Sequence, residues 1–204
     1  MAPTTPDPSP IAVIQLMTEV TSGFSSAQDV ESVALEVGRT IEQLIPVELS
    51  GLYFWDDLVD QLRLLYAHGF SEEERREAER TAWDRHPGRV FRSQQILHVP
   101  DTAADPLRRT QSSRRSFEVR SRLYVPVVWR GQSIAVLGLA SKRPHAFDGV
   151  VVEMLRFVCQ LTGVVYGQIH DRNLRVRAQA DLADTARRLQ MVLDGLPIAL
   201  IGIA

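Results

Sequence analysis

From Ile11 onward, apolar residues recur at helical spacing: Ile11, Ile14, Met17 and Val20 share one side before Ser22-Gly23 interrupts the run. This predicts a first helix. A second is predicted after Ser26, taken as its cap, with Val30, Val33, Ala34, Val37, Ile41, Leu44 and Ile45 on one face and Pro46 at its end. The period then changes. Leu49 to Trp55 and Gln61 to Tyr66 are short β-branched, aromatic and aliphatic runs separated by an acidic turn from Asp56-Asp57 to Asp60, the pattern of a β-hairpin. Gly69 to Gln95 returns to helical composition in two short pieces divided near Pro87-Gly88. Ile96 to Val99 is a brief strand stopped by Pro100, and Asp101 to Phe117 is a polar, arginine-rich loop. Arg122 to Trp129 and Ser133 to Ala140 form a second hairpin through Arg130-Gly131-Gln132. The predicted architecture is α+β: an antiparallel sheet of about five to six strands with a helical layer on one face.

Beyond His145-Ala146-Phe147-Asp148 the helical pattern resumes and meets no proline until Pro197, which predicts one continuous helix to about Leu193. At about 1.5 Å rise per residue such a helix exceeds the width of a small domain, so it connects as well as packs. In its first half Met154, Phe157, Leu161 and Val164 form one apolar side, assigned to the sheet. Leu155, Val158, Val165 and Ile169 form a neighbouring side, assigned to a second copy of the chain and continued by Val176 and Ala183 in heptad-like steps. Leu182, Ala186, Leu189 and Leu193 follow a shifted register that resembles a stutter. A homodimer through Leu155, Val158, Val165, Ile169 and Val176 is therefore expected. The plainer alternative is an amphipathic helix that ends on its own domain.

Composition narrows the class. Of 204 residues, 45% are hydrophobic and 24% charged, which fits a folded soluble protein, and a net charge of -2 offers no global field for nucleic acid. Apolar runs such as Gly195 to Ala204 are far shorter than the roughly 20 residues that span a bilayer, so no membrane insertion is expected. The single cysteine, Cys159, has no disulfide partner and fits a cytoplasmic setting. Met1 to Pro10 holds four prolines and little to bury, and is expected to be a disordered leader.

The succession Leu52-Tyr53-Phe54, Leu97-His98-Val99-Pro100-Asp101, Ser121-Arg122-Leu123-Tyr124-Val125-Pro126-Val127 and Ala135-Val136-Leu137-Gly138-Leu139 resembles a GAF domain, a small-molecule-sensing module of signalling proteins, over residues 11–170. Residues 171–193 then form a signalling helix. The tail Leu189 to Ala204 resembles the opening helix and first strand of a PAS domain, which would begin near residue 194 and continue past the end of the chain. The resemblance implies a dimer-forming helical layer on one face of the sheet, a ligand pocket on the other, and either the front of a longer bacterial signalling protein with a downstream output domain or a relic of one.

Candidate chemistry is sparse. One GAF-like branch reduces free methionine sulfoxide with several cysteines, and a lone Cys159 cannot be both attacking and resolving thiol. Bilin-binding members attach their chromophore near the pocket lid, and no cysteine lies between Arg80 and Arg122. The histidines His68, His86, His98, His145 and His170 show no metal-site spacing, although His86 or His98 would suffice as one axial ligand of a haem. His170-Asp171-Arg172 superficially resembles a kinase phosphoacceptor, against a plainer reading as a solvated helix residue. Pocket candidates are Tyr53, Trp55, Phe91, Arg92, Asp101, Phe117, Ser121 and Leu123, an aromatic wall with a few polar groups suited to a flat heterocycle or nucleotide. Tyr53, Phe91, Phe117 and Leu123 equally suit a closed core, with Asp101 capping a turn. Arg108, Arg109, Arg114, Arg115, Arg120 and Arg122 suit either phosphate or a solvated face. No motif specifies haem or nucleotide as cofactor. The expected function is a non-enzymatic sensory and dimerisation module; the rivals are a ligand-free scaffold and the front part of a sensor histidine kinase or cyclic-nucleotide enzyme.

Overall fold

The chain, as a computed structural model, is described over residues 27–104 and 118–194. The helix expected over Ile11 to Val20, the leader, and the PAS-like strand after Asp194 lie outside the described residues. Five strands, β1 (Leu49–Asp56), β2 (Gln61–His68), β3 (Leu97–Val99), β4 (Ser121–Trp129) and β5 (Gln132–Ser141), form one antiparallel sheet in the order β2-β1-β5-β4-β3. The helices are α1 (Val30–Leu44), α2 (Glu72–Arg80), α3 (His86–Ser93) and α4 (Gly149–Asp194), with a short 3-10 turn at Thr102–Ala104. The α+β class, the antiparallel sheet and the long last helix are as expected.

Local chemistry sets the boundaries. Helix α1 begins at Val30, not after Ser26, because Asp29 and Ser32 close a reciprocal box: the Asp29 carboxylate accepts the Ser32 N–H at 2.8 Å, and Ser32 Oγ accepts the Asp29 N–H at 3.2 Å. The β4–β5 hairpin turns on Arg130 and Gly131, at φ 50° and 77°, the left-handed pair that a two-residue turn requires.

The sheet has two covered faces. On one, α1 lies against β1 and β2, and the ring of Tyr166 in α4 stacks on Phe54 of β1 at 6.2 Å. On the other, Tyr53, Leu62 and Leu64 pack with Ala82, just beyond the end of α2, and with the half-buried Phe91 of α3. The sequence-based expectation placed a helical layer on a single face; α2 and α3 add a thin second layer opposite. Helix α2 also closes the outer edge of β2, where Glu79 accepts the Leu64 N–H at 3.2 Å and Arg75 donates to the Leu64 carbonyl at 3.4 Å. These side chains stand where a neighbouring strand would otherwise pair.

The contacts divide the chain between Gly167 and Gln168, within α4. In the first unit, α4 packs with the opposite phase to that expected. Leu155, Val158 and Val165, assigned to a dimer seam, are at most 7% exposed, whereas Met154, Phe157 and Leu161 are half-buried and Val164 is 56% exposed. Two adjacent apolar stripes leave the phase undetermined by periodicity; the glycines decide it. A Cβ at Gly163 would strike the Val128 carbonyl oxygen and one at Gly167 the Trp129 indole, so only this side of the helix can come that close to the sheet. Thr162, also fully buried on it, donates to the Val158 carbonyl at 2.7 Å. In the second unit Ile169, the remaining upper seam residue, is 4% exposed, and from Arg172 to Asp194 every residue is exposed, Val176 among them.

By length and composition alone α4 could cross a bilayer. The residues that make its first part apolar, such as Leu155, Val158 and Cys159, are buried inside the first unit.

This phase assignment makes Val165→Glu a folding mutation. It buries an unpaired carboxylate and is expected to lower stability by about 3 kcal/mol or more, while Val164→Glu changes it by no more than about 0.5 kcal/mol. Thermal and urea unfolding followed by circular dichroism check the pair, and equal effects would contradict the phase.

Candidate functional site

Strand alternation sends successive β4 residues to opposite faces. Leu123, fully buried, therefore lies on the helix-covered side with its partner Leu139, while Arg122 and Tyr124 face α2 and α3. There they enclose a small cavity of about 30 Å³ with Tyr53 from β1, Thr81 after α2, and Arg85 and His86 at the start of α3. A void of this size is close to that of a single water molecule.

The lining is polar, and two of its basic side chains are buried. Arg122 is 3% exposed and His86 2%. The His86 ring lies parallel to that of Tyr124, interplanar angle 1°, with centroids 5.4 Å apart. Gly138, paired with Tyr124 across the β4–β5 ladder, leaves the space its ring occupies: a Cβ at Gly138 would sit 2.7 Å from Tyr124 Cε1. Pro87, within the first turn of α3, fixes φ where no helical N–H partner is needed. Above the cavity, the Glu77 carboxylate lies 3.6 Å from Arg85 and 2.7 Å from Arg80. The nearby Glu74 carboxylate, 7% exposed, accepts the Ser71 N–H in the capping box of α2. Two guanidinium groups, one of them paired with Glu77, and an imidazole beside two tyrosines give the cavity a polar, aromatic lining.

The predicted pocket residues separate. Tyr53 lines the cavity. Trp55 and Phe91 instead stack on one another at 5.1 Å, with Trp83 5.1 Å from Trp55 and 6.0 Å from Phe91. Arg92 caps this cluster, its guanidinium 4.5 Å from the Trp83 ring and donating to the Trp83 carbonyl. That aromatic group lies beside the cavity and does not line it. Ser121, fully buried, donates to the Arg143 carbonyl at 2.7 Å and is a structural fastening. Leu123 belongs to the opposite core, and Phe117 falls outside the described residues, as do Arg108, Arg109, Arg114 and Arg115.

Asp101 ties the chain on either side of residues 105–117. Its carboxylate accepts the Ala103 N–H and pairs with Arg120 at 3.0 Å, while Thr102 N–H donates to the Arg120 carbonyl and Thr102 Oγ1 to the Val119 carbonyl. The Ala103 N–H and then Arg120 hold the Asp101 carboxyl below the usual carboxylate range. The two haem candidates differ: His86 is buried under the roof, whereas His98 is exposed on the edge strand β3, its pKa lowered by partial burial and by His145. Among the described residues no three His, Cys, Asp or Glu side chains converge as a metal site would need. Cys159 is buried, and desolvation pushes its thiol well above the ordinary range, which disfavours the thiolate needed for redox or nucleophilic work.

An antiparallel five-stranded sheet with long helices on one side and a short helical roof over a polar cavity on the other is the GAF arrangement. A GAF domain family model matches residues 27–165, and the chain belongs to this family. Solved structures agree in fold. The GAF domain of a phosphoenolpyruvate-protein phosphotransferase from Coxiella burnetii matches with TM-score 0.67 at 12% identity, over 80% of this chain and 98% of that one. Free methionine-R-sulfoxide reductase from Neisseria meningitidis, solved with its substrate, matches with TM-score 0.67 at 18% identity, over 84% and 98%. A domain of a putative two-component sensor histidine kinase from Sinorhizobium meliloti matches with TM-score 0.57 at 17% identity, over 73% and 98%. A search of curated proteins returned no match.

The Asp101–Arg120 clamp predicts an acid-sensitive increment of stability. Because the folded pKa of Asp101 is depressed, its contribution is complete above the ordinary value near 3.8 and is lost as pH falls through the folded value. Unfolding of Asp101→Asn against the parent chain should differ most above pH 5 (about a unit clear of that value) and converge on acidification. A difference that grows toward low pH would contradict the clamp.

Proposed function

We propose that this GAF domain is a sensory module of a cytoplasmic signalling protein, taking a small polar or anionic molecule at the cavity under α2 and α3 and coupling it through α4 to a second copy and an output domain. The observation that carries the reading is the burial of Arg122 and His86 around a void on the sheet. Burial holds the guanidinium and the imidazole in fixed positions on the sheet, the preorganisation that recognition of a small polar molecule needs. The roof consists of helices of 9 and 8 residues, short enough to open locally for a ligand larger than the void. A regulatory role is favoured over a catalytic one by the buried, high-pKa thiol of Cys159.

The second copy is assigned to the exposed part of α4, where Leu182, Leu189 and Leu193 are 71%, 60% and 61% exposed at heptad-like spacing. One observation favours the ligand-free scaffold instead: the void is only about 30 Å³.

Native mass spectrometry of the freshly purified chain separates the two readings. The sensory reading predicts a dimer carrying a small molecule of constant mass, absent from Arg122→Gln of unchanged circular dichroism, and a monomer for Leu189→Glu at concentrations where the parent is dimeric. A bare dimer that takes up nothing from a metabolite extract supports the scaffold.

A further inference from the structure

The sheet's two edges are finished differently. At β2 the edge is closed by Arg75 and Glu79. At the other end β3 pairs only with Arg122, Leu123 and Tyr124, while β4 runs on to Trp129, so its last residues have β5 on one side and no strand on the other among the described residues. Beside this stretch lies a groove of about 510 Å³, well inside the range of small-molecule sites and many times larger than the cavity under the roof. No residue lines both.

Its floor is apolar: Ile96 from the segment before β3, and Val125, Pro126 and Val128 from β4. Its rim is polar, with Gln94 and Gln95 on one wall and Arg156 and Gln160 of α4 on the other. Gln94 donates from its carboxamide to the Gly131 carbonyl at 2.9 Å, which fixes that wall to the β4–β5 turn. Arg156 is the one charged side chain among the lining residues described, and its Nε lies 3.3 Å from Glu153 in a pair that is 51% and 68% exposed. Such a water-exposed pair contributes little and is readily exchanged for another carboxylate.

An open edge invites an added strand, but this one is poorly suited to it. Pro126 has no N–H to offer, and the register shifts between Val127 and Val128, so a regular ladder cannot continue along β4. The groove instead suits a compact ligand. We propose that it is a second binding site, separate from the cavity under the roof, for a small organic carboxylate with an apolar body: the carboxylate on Arg156, neighbouring polar atoms on the Gln95 and Gln160 carboxamides, and the body on Ile96, Pro126 and Val128.

The test uses hexanoate and phenylacetate as probes on the full chain, with amide and side-chain carboxamide resonances followed by NMR. Saturable shifts are expected at Gln95, Ile96, Val128 and Gln160. Arg156→Gln, at an exposed position, should keep the native spectrum and weaken binding roughly tenfold, as should replacing each probe by its uncharged primary amide. Absence of saturable shifts at these residues, shifts confined to Tyr53, His86 and Tyr124, or equal binding by Arg156→Gln would each overturn the proposal. None of these outcomes depends on whether the cavity under the roof binds a ligand.

Discussion

The close approach of α4 to β4 is the contact on which the arrangement depends. Two glycines one helical turn apart, Gly163 and Gly167, remove the side chains that would keep the helix away from the Val128 carbonyl and the Trp129 indole. That contact sets the rotation of the helix. Leu155, Val158 and Val165 are turned inward by it, and Val164 outward. It also assigns the faces of β4, since Gly163 comes against the Val127 side chain as well, and from Val127 back to Ser121 the strand alternates regularly. Leu123 then belongs to the core, and Arg122 and Tyr124 to the cavity.

A division of labour follows from this. The helix-covered face is apolar and extensive, with Leu52, Phe54, Leu123, Leu137 and Leu139 all nearly inaccessible. The opposite face carries a lighter roof, held through few apolar side chains and through polar attachments such as Glu79 and Arg75 on Leu64. Local opening is expected to be easiest where buried apolar contact is least, so the roof is expected to open before the helix layer does. The two properties are segregated here by the alternation of a single strand.

Much of the fold was legible in the sequence because hairpins and helices announce themselves by period. The turn at Arg130-Gly131, the two short helices divided near Pro87, and the unbroken helical pattern after Asp148 all stand where residue chemistry predicted. The start of α1 was misplaced because Ser26 and Asp29 are both acceptable caps, and only the reciprocal Ser32 contact selects Asp29. The phase of α4 was misassigned because two adjacent apolar stripes satisfy the same period, while the deciding glycines act through backbone atoms of a distant strand. Among the pocket candidates, aromatic character found Tyr53 but also drew in Trp55 and Phe91, which satisfy each other. Tyr124 and the buried placement of Arg122 were missed, and His86 was singled out only as a haem ligand, although the alternation of Arg122 and Tyr124 with Leu123 and Val125 carried the signal: a strand with a polar residue on its second face needs something polar to face.

Replacement of Gly163 tests the central contact most directly. In an exposed helix, Gly→Ala stabilises by about 1 kcal/mol, and Gly149→Ala, where an added Cβ meets nothing within 4 Å, should show that tendency or no change. At Gly163 the same methyl must displace the Val128 backbone, so urea unfolding should report a loss of about 1–3 kcal/mol despite the better helix former. A Gly163→Ala chain as stable as the parent, or more so, would mean that α4 does not lie against β4 in this way, and the assignment of the two faces would fall with it.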